Sequence, residues 1–292
     1  MMPAPEPAGE YYAEVIGDPI RQSKSPVIHG FWLEQLGLDG SYHSTPVAAA
    51  ELPDFLATRR GDPHWRGCNV TMPHKQAVIP LLDRLDPLAG RVGAVNTIVP
   101  ENGQLVGYNT DVPGFLEPLR TRLGQPHLFR MARVLGTGGA ARAIVSALAD
   151  QGVVIVLAGR DPDKARTMLD TLAPGGDHHA IDLAHFATPT DFAFDDRAGC
   201  FDLIVNATSL GMTDHAPLDF DLTHAPPGSV FYDIVTSPLE TAFLHAARDA
   251  GFVTVDGLSM LIGQADHAFH RFFGVKPPRG EADTVLRSRL LA

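Results

Sequence analysis

The sequence predicts an α/β protein with two domains, and three observations support this. Its 292 residues exceed what a single hydrophobic core usually organises. Short apolar strands alternate with helical stretches as far as about residue 111, and a second alternation begins near residue 131. Repeated strand–helix–strand units place their strands parallel in one sheet. We therefore expect a small α/β domain followed by a doubly wound parallel sheet.

Composition and charge exclude several classes of partner. A net charge of −11 disfavours nucleic acid and anionic membranes, because phosphate-rich partners require a basic surface. Only Cys68 and Cys200 are present, too few for a disulfide framework or a cysteine zinc cluster. The opening MMPAPEPAGE lacks the apolar core of a secretion signal, and the apolar run at 153–159 is far shorter than a bilayer span. The sequence thus predicts a cytoplasmic protein.

The elements are predicted from periodicity and from turn residues. The first domain has a strand in AEVIG, a helix in PVIHGFWLEQLG, a strand in GCNV and a helix started by Pro73. The second has, in order, ARVLG (strand), AARAIVSALADQG (helix), VVIVLAG (strand), DPDKARTMLDTL (helix), FDLIVNA and SVFYDIV (strands). Residues 175–199 are expected to be an irregular connection with a short helix. Helical spacing of apolar residues predicts a last long helix from Gly257 to a cap at Gly274.

A glycine-rich segment follows the strand ARVLG and opens a helix. Its residues are Gly136, Thr137, Gly138, Gly139 and Ala140. This is the context that a dinucleotide fingerprint requires, because glycines let the backbone approach a pyrophosphate at a helix N-terminus. A glycine turn without a ligand is the alternative interpretation.

The residues after the next strand should select the cofactor. They are Arg160 and Asp161, with Lys164 further along. Two cations against one anion favour the 2′-phosphate of NADP over the free ribose of NAD. Asp161 is the complication, since its carboxylate would either repel the phosphate or cap the following helix.

Polar residues at other element ends are candidates for the substrate site. Ser23 and Ser25 precede a helix and are able to face one anion, although a serine before proline is more often an N-cap. Lys75 is placed in the first turn of the helix begun by Pro73, where the helix dipole would favour its neutral amine and suit proton transfer, while a nearby carboxylate would act in the opposite direction. The alternative is an ordinary solvated lysine on the surface. Asn96 and Asp111 each end a short apolar strand, where sites collect, but either also suits a turn.

Several of these segments together resemble the shikimate dehydrogenase family, which includes quinate/shikimate dehydrogenases. In the family's order they are GDPIRQSKSP, GCNVTMPHK, GAVNT, NTD, GTGGAAR, NATSLGM and DGLSMLIGQA. The resemblance runs from about Val15 to Phe273. It implies metal-free, reversible reduction of 3-dehydroshikimate to shikimate by NADPH, in aromatic amino acid and chorismate biosynthesis, by a monomer or homodimer. It also implies an α/β substrate domain over 1–111, completed by C-terminal helices in 257–292, and a Rossmann-like NADP domain over 112–256.

The resemblance assigns residue roles as well. Lys75 and Asp111 would be the catalytic pair. The substrate-binding residues would be Ser23, Ser25, Asn69, Thr71, Asn96, Thr236 and Gln264. The cofactor-binding residues would be Gly136, Thr137, Gly138, Gly139, Ala140, Arg160, Lys164, Ile234 and Gly257.

Some positions depart from the family pattern. Thr236 stands where the family usually has a substrate-contacting Tyr, Gly159 replaces its usual Asn, and Asp161 replaces its usual Thr. Two other functions therefore stay open: an NAD-preferring quinate/shikimate or aminoshikimate dehydrogenase, and a catalytically silent NADP-binding regulator. The presence of Lys75 and Asp111 disfavours the regulator, because a sensor does not need proton transfer.

Overall fold

The computed structural model describes residues 10–195 and 197–291 and has the predicted α/β architecture. The described chain forms two compact units. The first unit comprises the chain up to Thr110 and the segment from Ala265 onward, and the second unit comprises Asp111–Gln264. The chain thus returns to the first unit at 265, further along than the predicted 257. Residues 1–9, interpreted above as lacking a secretion signal, lie outside the described residues.

The first unit is built on a six-stranded mixed sheet. Its strands are β1 (Tyr11–Gly17), β2 (Gly40–Pro46), β3 (Trp65–Val70), β4 (Arg84–Leu85), β5 (Thr97–Glu101) and β6 (Gln104–Tyr108). Their order in space is β2-β1-β3-β5-β6-β4, with β5 antiparallel to both of its neighbours. Antiparallel pairing brings the start of β5 to the end of β3, where Asn69 pairs with Thr97. Asn96 accordingly precedes a strand and does not end one as predicted.

Three helices flank this sheet before the chain leaves the first unit. They are α1 (Ser25–Leu36), α2 (Leu52–Arg60) and α3 (Pro87–Val92). The predicted helix α1 is confirmed: it has Pro26 in its first turn and ends at Gly37, whose φ of 60° is left-handed. Its buried residues include His29 and Trp32. A cluster of buried apolar residues lies between β1, β3, β5 and α2. It includes Ile16, Leu56, Trp65, Cys68 and Ile98.

The residues after Pro73 do not form the predicted helix. Segment 72–78 is a run of turns followed by a short 3₁₀ helix at Ile79–Leu81. The carbonyl of Lys75 accepts a hydrogen bond from the N–H of Val95 at 2.8 Å. Because this carbonyl is engaged by another segment, the i-to-i+4 ladder of an α-helix does not pass through Lys75. The predicted effect of a helix dipole on this lysine is therefore wrong.

The second unit is the predicted doubly wound parallel sheet. Its strands are β7 (Phe129–Leu135), β8 (Val154–Gly159), β9 (His179–Asp182), β10 (Cys200–Asn206), β11 (Val230–Asp233) and β12 (Val253–Val255). Its helices are α4 (Asp111–Leu116), α5 (Arg120–Leu123), α6 (Gly139–Asp150), α7 (Pro162–Leu172) and α8 (Ala242–Asp249). The order β12-β11-β10-β7-β8-β9 reverses between β7 and β10. Ligands of open α/β sheets bind at such a reversal, outside the carboxyl ends of the strands.

Strand β9 corrects the prediction for residues 175–199. It pairs in parallel with β8, from Val156 opposite His179 to Gly159 opposite Asp182. The predicted short helix follows it as a 3₁₀ helix, Leu183–Ala187. The strand has only four residues and none is fully buried, so it lacks the apolar signal by which strands are recognised.

The C-terminal helices complete the first unit. Helix α9 (Gly257–Phe273) has the predicted bounds and is followed by Gly274 with a φ of 73°; α10 (Glu281–Leu291) comes after it. Phe269 of α9 packs edge-on against Trp32 at 5.5 Å between ring centroids. Lys24 Nζ donates to the Leu290 carbonyl at 2.7 Å. Among the described residues, no helix is long and apolar enough to cross a membrane.

Candidate active site

Ser23 and Ser25 lie at the start of α1, in the loop that follows β1. Ser23 Oγ accepts a hydrogen bond from the Ser25 N–H at 3.3 Å. The N-cap of α1 is Lys24, without a side-chain cap, so the alternative interpretation of a serine as the N-cap is wrong. Both residues are half-buried. Two hydroxyls at the beginning of a helix suit an anion such as a carboxylate, since the helix dipole adds a favourable field.

Asn69 is the hub of a hydrogen-bonded cluster at the end of β3. Its Oδ1 accepts a 2.6 Å hydrogen bond from the Tyr42 hydroxyl on β2. Its Nδ2 donates to the Asn96 carbonyl at 3.2 Å and to Thr97 Oγ1 at 3.0 Å. The predicted residues Asn69 and Asn96 are therefore brought together, although 27 positions separate them.

Asn96 is 2% exposed and holds the segment that leads to Asp111. Its Oδ1 accepts from the Thr110 N–H at 2.7 Å, and its Nδ2 donates to Thr110 Oγ1 at 2.9 Å. Asp111 is the next residue, begins α4 and is 1% exposed. Because Thr110 is fixed from both its backbone and its hydroxyl, the position at which the chain reaches Asp111 is well defined.

Thr71 and Lys75 lie beyond the same end of β3. A Cβ placed on Gly17 would lie 2.5 Å from the Thr71 methyl group, so a glycine at the end of β1 allows the two strand ends to approach. Lys75 is half-buried. Its backbone is tied by the Val95 hydrogen bond to the residue before Asn96. Serines, amides, threonine and lysine thus collect at one edge of the first sheet.

The glycine-rich loop of the second unit follows β7, at the reversal of strand order. Gly136 has a φ of 116°, and a Cβ there would lie 2.8 Å from the Ala207 carbonyl oxygen, so only glycine fits. Gly138 is the N-cap of α6, and a Cβ there would meet no atom within 4 Å. Open space in front of a helix N-terminus is what a pyrophosphate needs.

The residues predicted to select the cofactor lie after β8, and their side chains differ in what they contact. Arg160 and Lys164 are exposed. Asp161 caps α7: its Oδ1 accepts hydrogen bonds from the N–H groups of Asp163 and Lys164, each at 3.1 Å. A Cβ on Gly159 would lie 2.8 Å from the Thr137 methyl group, so a larger residue here would require the Thr137 side chain to shift.

A buried polar network braces the carboxyl ends of β10 and β11. Asn206 Nδ2 donates to Asp233 Oδ1 at 3.0 Å, and Thr208 Oγ1 donates to Asn206 Oδ1 at 2.7 Å. Thr241 Oγ1 donates to Asp233 Oδ2 at 2.7 Å. Burial raises the pKa of Asp233, and these hydrogen bonds partly oppose that rise. The network fixes the backbone around Ala207, against which Gly136 packs.

The remaining predicted residues lie at the start and middle of α9 and on the loop after β11. Gly257 packs against the carbonyls of Ile234 and Val235 so closely that a Cβ would overlap them. Thr236 is half-buried on the same loop. Gln264 is half-buried, and its backbone packs on Gly114, where a Cβ would lie 2.5 Å away. The structure thus places Gly257 in contact with the backbone of Ile234, and both are predicted cofactor-binding residues.

Tyr42 and His29 are site neighbours that the sequence analysis missed. Tyr42 is 7% exposed and bonds to Asn69, and His29 is fully buried beneath its ring. Tyr42 lies in a strand that carries no recognised motif. Its contact with Asn69 depends on the strand order β2-β1-β3, which the sequence alone does not specify. In the described part of the chain, no group of three or more His, Cys, Asp or Glu is arranged to hold a metal ion.

Comparison with known proteins gives concordant results. Residues 15–98 match the family model described as the shikimate dehydrogenase substrate binding domain. A shikimate dehydrogenase (NADP(+)) of Sphingopyxis alaskensis is 48% identical over 98% of this chain and 99% of its own. Shikimate 5-dehydrogenase from Thermus thermophilus, crystallised with NADP(H) and shikimate, superposes with a TM-score of 0.81 at 35% identity, covering 96% of this chain and all of its own. Quinate dehydrogenase from Corynebacterium glutamicum with NAD gives 0.78 at 30% identity over 97% and 99%.

Proposed function

This chain belongs to the shikimate dehydrogenase family, and on that premise we propose that it reduces 3-dehydroshikimate to shikimate with NADPH. The reaction is reversible, and its product feeds aromatic amino acid and chorismate biosynthesis. Most of the proposed substrate-binding residues belong to the first unit, and the proposed cofactor-binding residues, together with Asp111, Thr236 and Gln264, belong to the second. This is a metal-free oxidoreduction at a ring carbon that bears a hydroxyl.

The observation that carries the proposal is the collection of polar side chains at one edge of the first sheet. Asn69 bonds to Asn96, and Lys75 is tied by its backbone to Val95. A polyhydroxylated ring with one carboxylate requires several hydroxyl-binding groups, an anion site and a proton donor. The amides, the threonine, the paired serines and the lysine provide that set.

The second unit has a suitable place for a dinucleotide. The open space in front of Gly138 accepts a pyrophosphate at the N-terminus of α6. Arg160 and Lys164 are exposed beside the end of β8 and are the residues that would hold a 2′-phosphate. Asp161 uses its carboxylate to cap α7, so it opposes the phosphate less than an uncommitted carboxylate would. These features support NADP over NAD.

The chemistry that the bound cofactor supplies is hydride transfer to the keto carbon. The chain's own residues bind, orient and move a proton. Ser23 and Ser25 hold the carboxylate, and Asn69, Thr71, Asn96 and Gln264 hold the hydroxyl groups, with Thr236 a further contact. Lys75 Nζ donates a proton or a hydrogen bond to the forming alkoxide, and Asp111 orients the lysine and the hydroxyl.

The test is a spectrophotometric assay at 340 nm of the purified chain with shikimate and quinate, each against NADP and NAD. We expect the highest kcat/KM for shikimate with NADP. No turnover of either substrate with either cofactor would reject the proposal and favour the silent regulator.

A second candidate is an NAD-preferring quinate/shikimate dehydrogenase. The specific observations for it are Thr236 in place of the usual tyrosine and the similarity to the Corynebacterium enzyme that was crystallised with NAD. The same assay separates the two candidates, because this one requires a higher kcat/KM for quinate or for NAD.

The remaining features of the proposal concern setting and assembly. The partner is a small molecule, and the acidic charge of −11 disfavours nucleic acid and anionic membranes. We place the enzyme in the cytoplasm as a monomer or homodimer. Size-exclusion chromatography with light scattering measures the oligomeric state directly.

A further inference from the structure

The hydroxyl of Tyr42 has a fixed role in the substrate half of the site. Tyr42 lies on β2, and its oxygen is 2.6 Å from Asn69 Oδ1 on β3. Burial raises the pKa of Tyr42 well above its usual value, and the neighbouring Ser25 side chain partly opposes that rise. One phenol therefore lies beside a residue proposed for the carboxylate and a residue proposed for a ring hydroxyl.

The direction of the Tyr42 hydrogen bond follows from the other partners of Asn69. The amide nitrogen faces the Asn96 carbonyl at 3.2 Å, which only accepts, so the oxygen must face Tyr42. An amide oxygen only accepts in turn, and Tyr42 is thus the donor. Both N–H bonds of Asn69 are used, one by Asn96 and the other by Thr97 at 3.0 Å. What Asn69 still offers is the second lone pair of its oxygen.

The ring of Tyr42 is held as firmly as its hydroxyl. It stacks on the imidazole of His29, with 4.0 Å between ring centroids and 4° between planes. His29 is fully buried, and Trp32 and Phe269 also pack against it. Burial lowers the pKa of His29 to about 3, so the stack stays neutral at physiological pH. A tyrosine clamped at both ends keeps Asn69 in one orientation.

We propose that Tyr42 is a positioning residue of the substrate site: it holds Asn69 so that the amide presents an oxygen acceptor, and no N–H, to the substrate. The inference rests on the proposed function and adds the polarity of one contact. The substrate group at Asn69 is then a hydroxyl that donates its proton. A keto or ether oxygen at that place finds no donor from Asn69.

The first experiment is Tyr42→Phe in the full chain, which removes the hydroxyl and keeps the stack on His29. We expect KM for shikimate to rise about tenfold, the effect of one lost hydrogen bond on a buried polar group, while kcat changes less than threefold and KM for NADP is unchanged. Tyr11→Phe is the matched control. Tyr11 is on β1, and its buried hydroxyl has no hydrogen-bond partner among the described residues, so its kinetics should equal wild type.

A double-mutant cycle with Asn69→Ala separates positioning from general stability. If Tyr42 acts through Asn69, adding Tyr42→Phe to Asn69→Ala changes KM by less than twofold. Equal tenfold effects in both backgrounds, or a Tyr42→Phe enzyme with wild-type KM, would overturn the inference. Turnover of shikimate by the wild type keeps the proposed function in either case, so the two failures are distinguishable.

A measurement on the wild type tests the same proposal without a substitution, in case the Tyr42→Phe chain does not fold. Shikimate analogues are compared in which a ring hydroxyl that does not react is replaced by fluorine or by hydrogen. At the position that Asn69 binds, fluorine accepts but does not donate, so it should weaken binding as much as hydrogen does. Fluoro analogues that bind as tightly as shikimate at every such position would overturn the proposed polarity.

Discussion

The carboxylate of Asp161 accepts a hydrogen bond from the backbone N–H of Lys164 at 3.1 Å. Asp161, the anion that complicates the choice between NADP and NAD, is thus the N-cap of α7, which carries Lys164, one of the two cations proposed to hold the 2′-phosphate. Capping by a carboxylate also complements the positive end of the helix dipole. Asp161 then acts on selectivity mainly through its charge.

Asp161→Ser keeps a capping oxygen and removes that charge. We expect kcat/KM for NADP to rise a few-fold, with the value for NAD almost unchanged and the melting temperature preserved. Asp161→Ala should change the kinetics in the same way but lower the free energy of unfolding by about 1 kcal/mol through loss of the cap. A tenfold fall in kcat/KM for NAD in the serine variant would instead show that the carboxylate binds a ribose hydroxyl.

Arg160→Ala should weaken NADP selectively. A charge-assisted hydrogen bond contributes about 1.5–3 kcal/mol, so KM for NADP should rise at least tenfold while KM for NAD stays within twofold. Arg166→Ala is the control, because Arg166 lies on α7, the helix that follows Arg160, and is exposed but bonds to the His178 carbonyl. If Arg160→Ala raised KM for NADP and for NAD by the same factor, Arg160 would not be a residue that recognises the 2′-phosphate.

Lys75→Ala should reduce kcat by about 10²-fold or more, the usual contribution of a general acid. Shikimate binding should weaken only modestly, because the serines and amides remain. Single-turnover rates of cofactor oxidation measure the chemical step directly. Near-normal kcat with a raised KM would reassign Lys75 to ground-state binding.

Replacing both Ser23 and Ser25 with alanine should raise KM for shikimate about 10²-fold. An anion loses two hydroxyl donors, and the hydrogen bond that Ser23 Oγ accepts from the Ser25 N–H is lost as well. Affinity for NADP, measured by fluorescence titration, should be unchanged, because its residues lie in the second unit. A loss of NADP affinity would contradict the assignment of these two serines to the substrate carboxylate.

His29 should make folding stability pH-dependent. Its pKa is about 3 in the folded chain, below the value near 6.5 of an exposed imidazole. Below about pH 6.5 the unfolded chain therefore binds a proton that the folded chain does not bind, and stability falls as the pH drops toward 3. This costs about 2 kcal/mol at pH 5. Urea titrations at pH 7.5 and pH 5 measure how much the free energy of unfolding falls between the two pH values. This fall should be about 2 kcal/mol smaller in His29→Phe than in the wild type.

An equal fall in both proteins would assign the acid sensitivity to other groups. The difference between the two proteins at pH 7.5, where His29 is neutral in both states, gives the effect of the substitution on packing.

The sequence predicts those parts of the fold whose signals are local. Helix α1 has its proline and its terminal glycine, and β7, α6 and β8 surround a glycine-rich turn, so each is recognisable from its own residues. The helix at Pro73 fails because the carbonyl of Lys75 is taken by Val95, a contact between distant segments. Strand β9 is missed because it is short and lies at the sheet edge.

The same distinction applies to the site. Ser23, Lys75 and the glycine loop belong to motifs, whereas Tyr42 does not. The Tyr42 hydroxyl meets Asn69 across β1, so its role depends on the strand order β2-β1-β3. Asp161 had two interpretations from sequence because a carboxylate before a helix suits a cap and a ribose equally well. Backbone geometry, which no pattern of residue types specifies, gives it the cap.

The divided first unit has a consequence for synthesis. Its sheet precedes residue 111, but its packing needs α9 and α10: Phe272 lies 2.8 Å from the position of a Cβ on Gly67, and Arg289 pairs with Glu34 at 2.7 Å. The second unit is one continuous stretch and has all its strands before residue 257. On a ribosome, the sheet of the second unit is therefore complete while the first unit still lacks its last helices. A stop codon near residue 265 would remove α10 and the second half of α9 from the first unit, while every strand of the second unit would already be present.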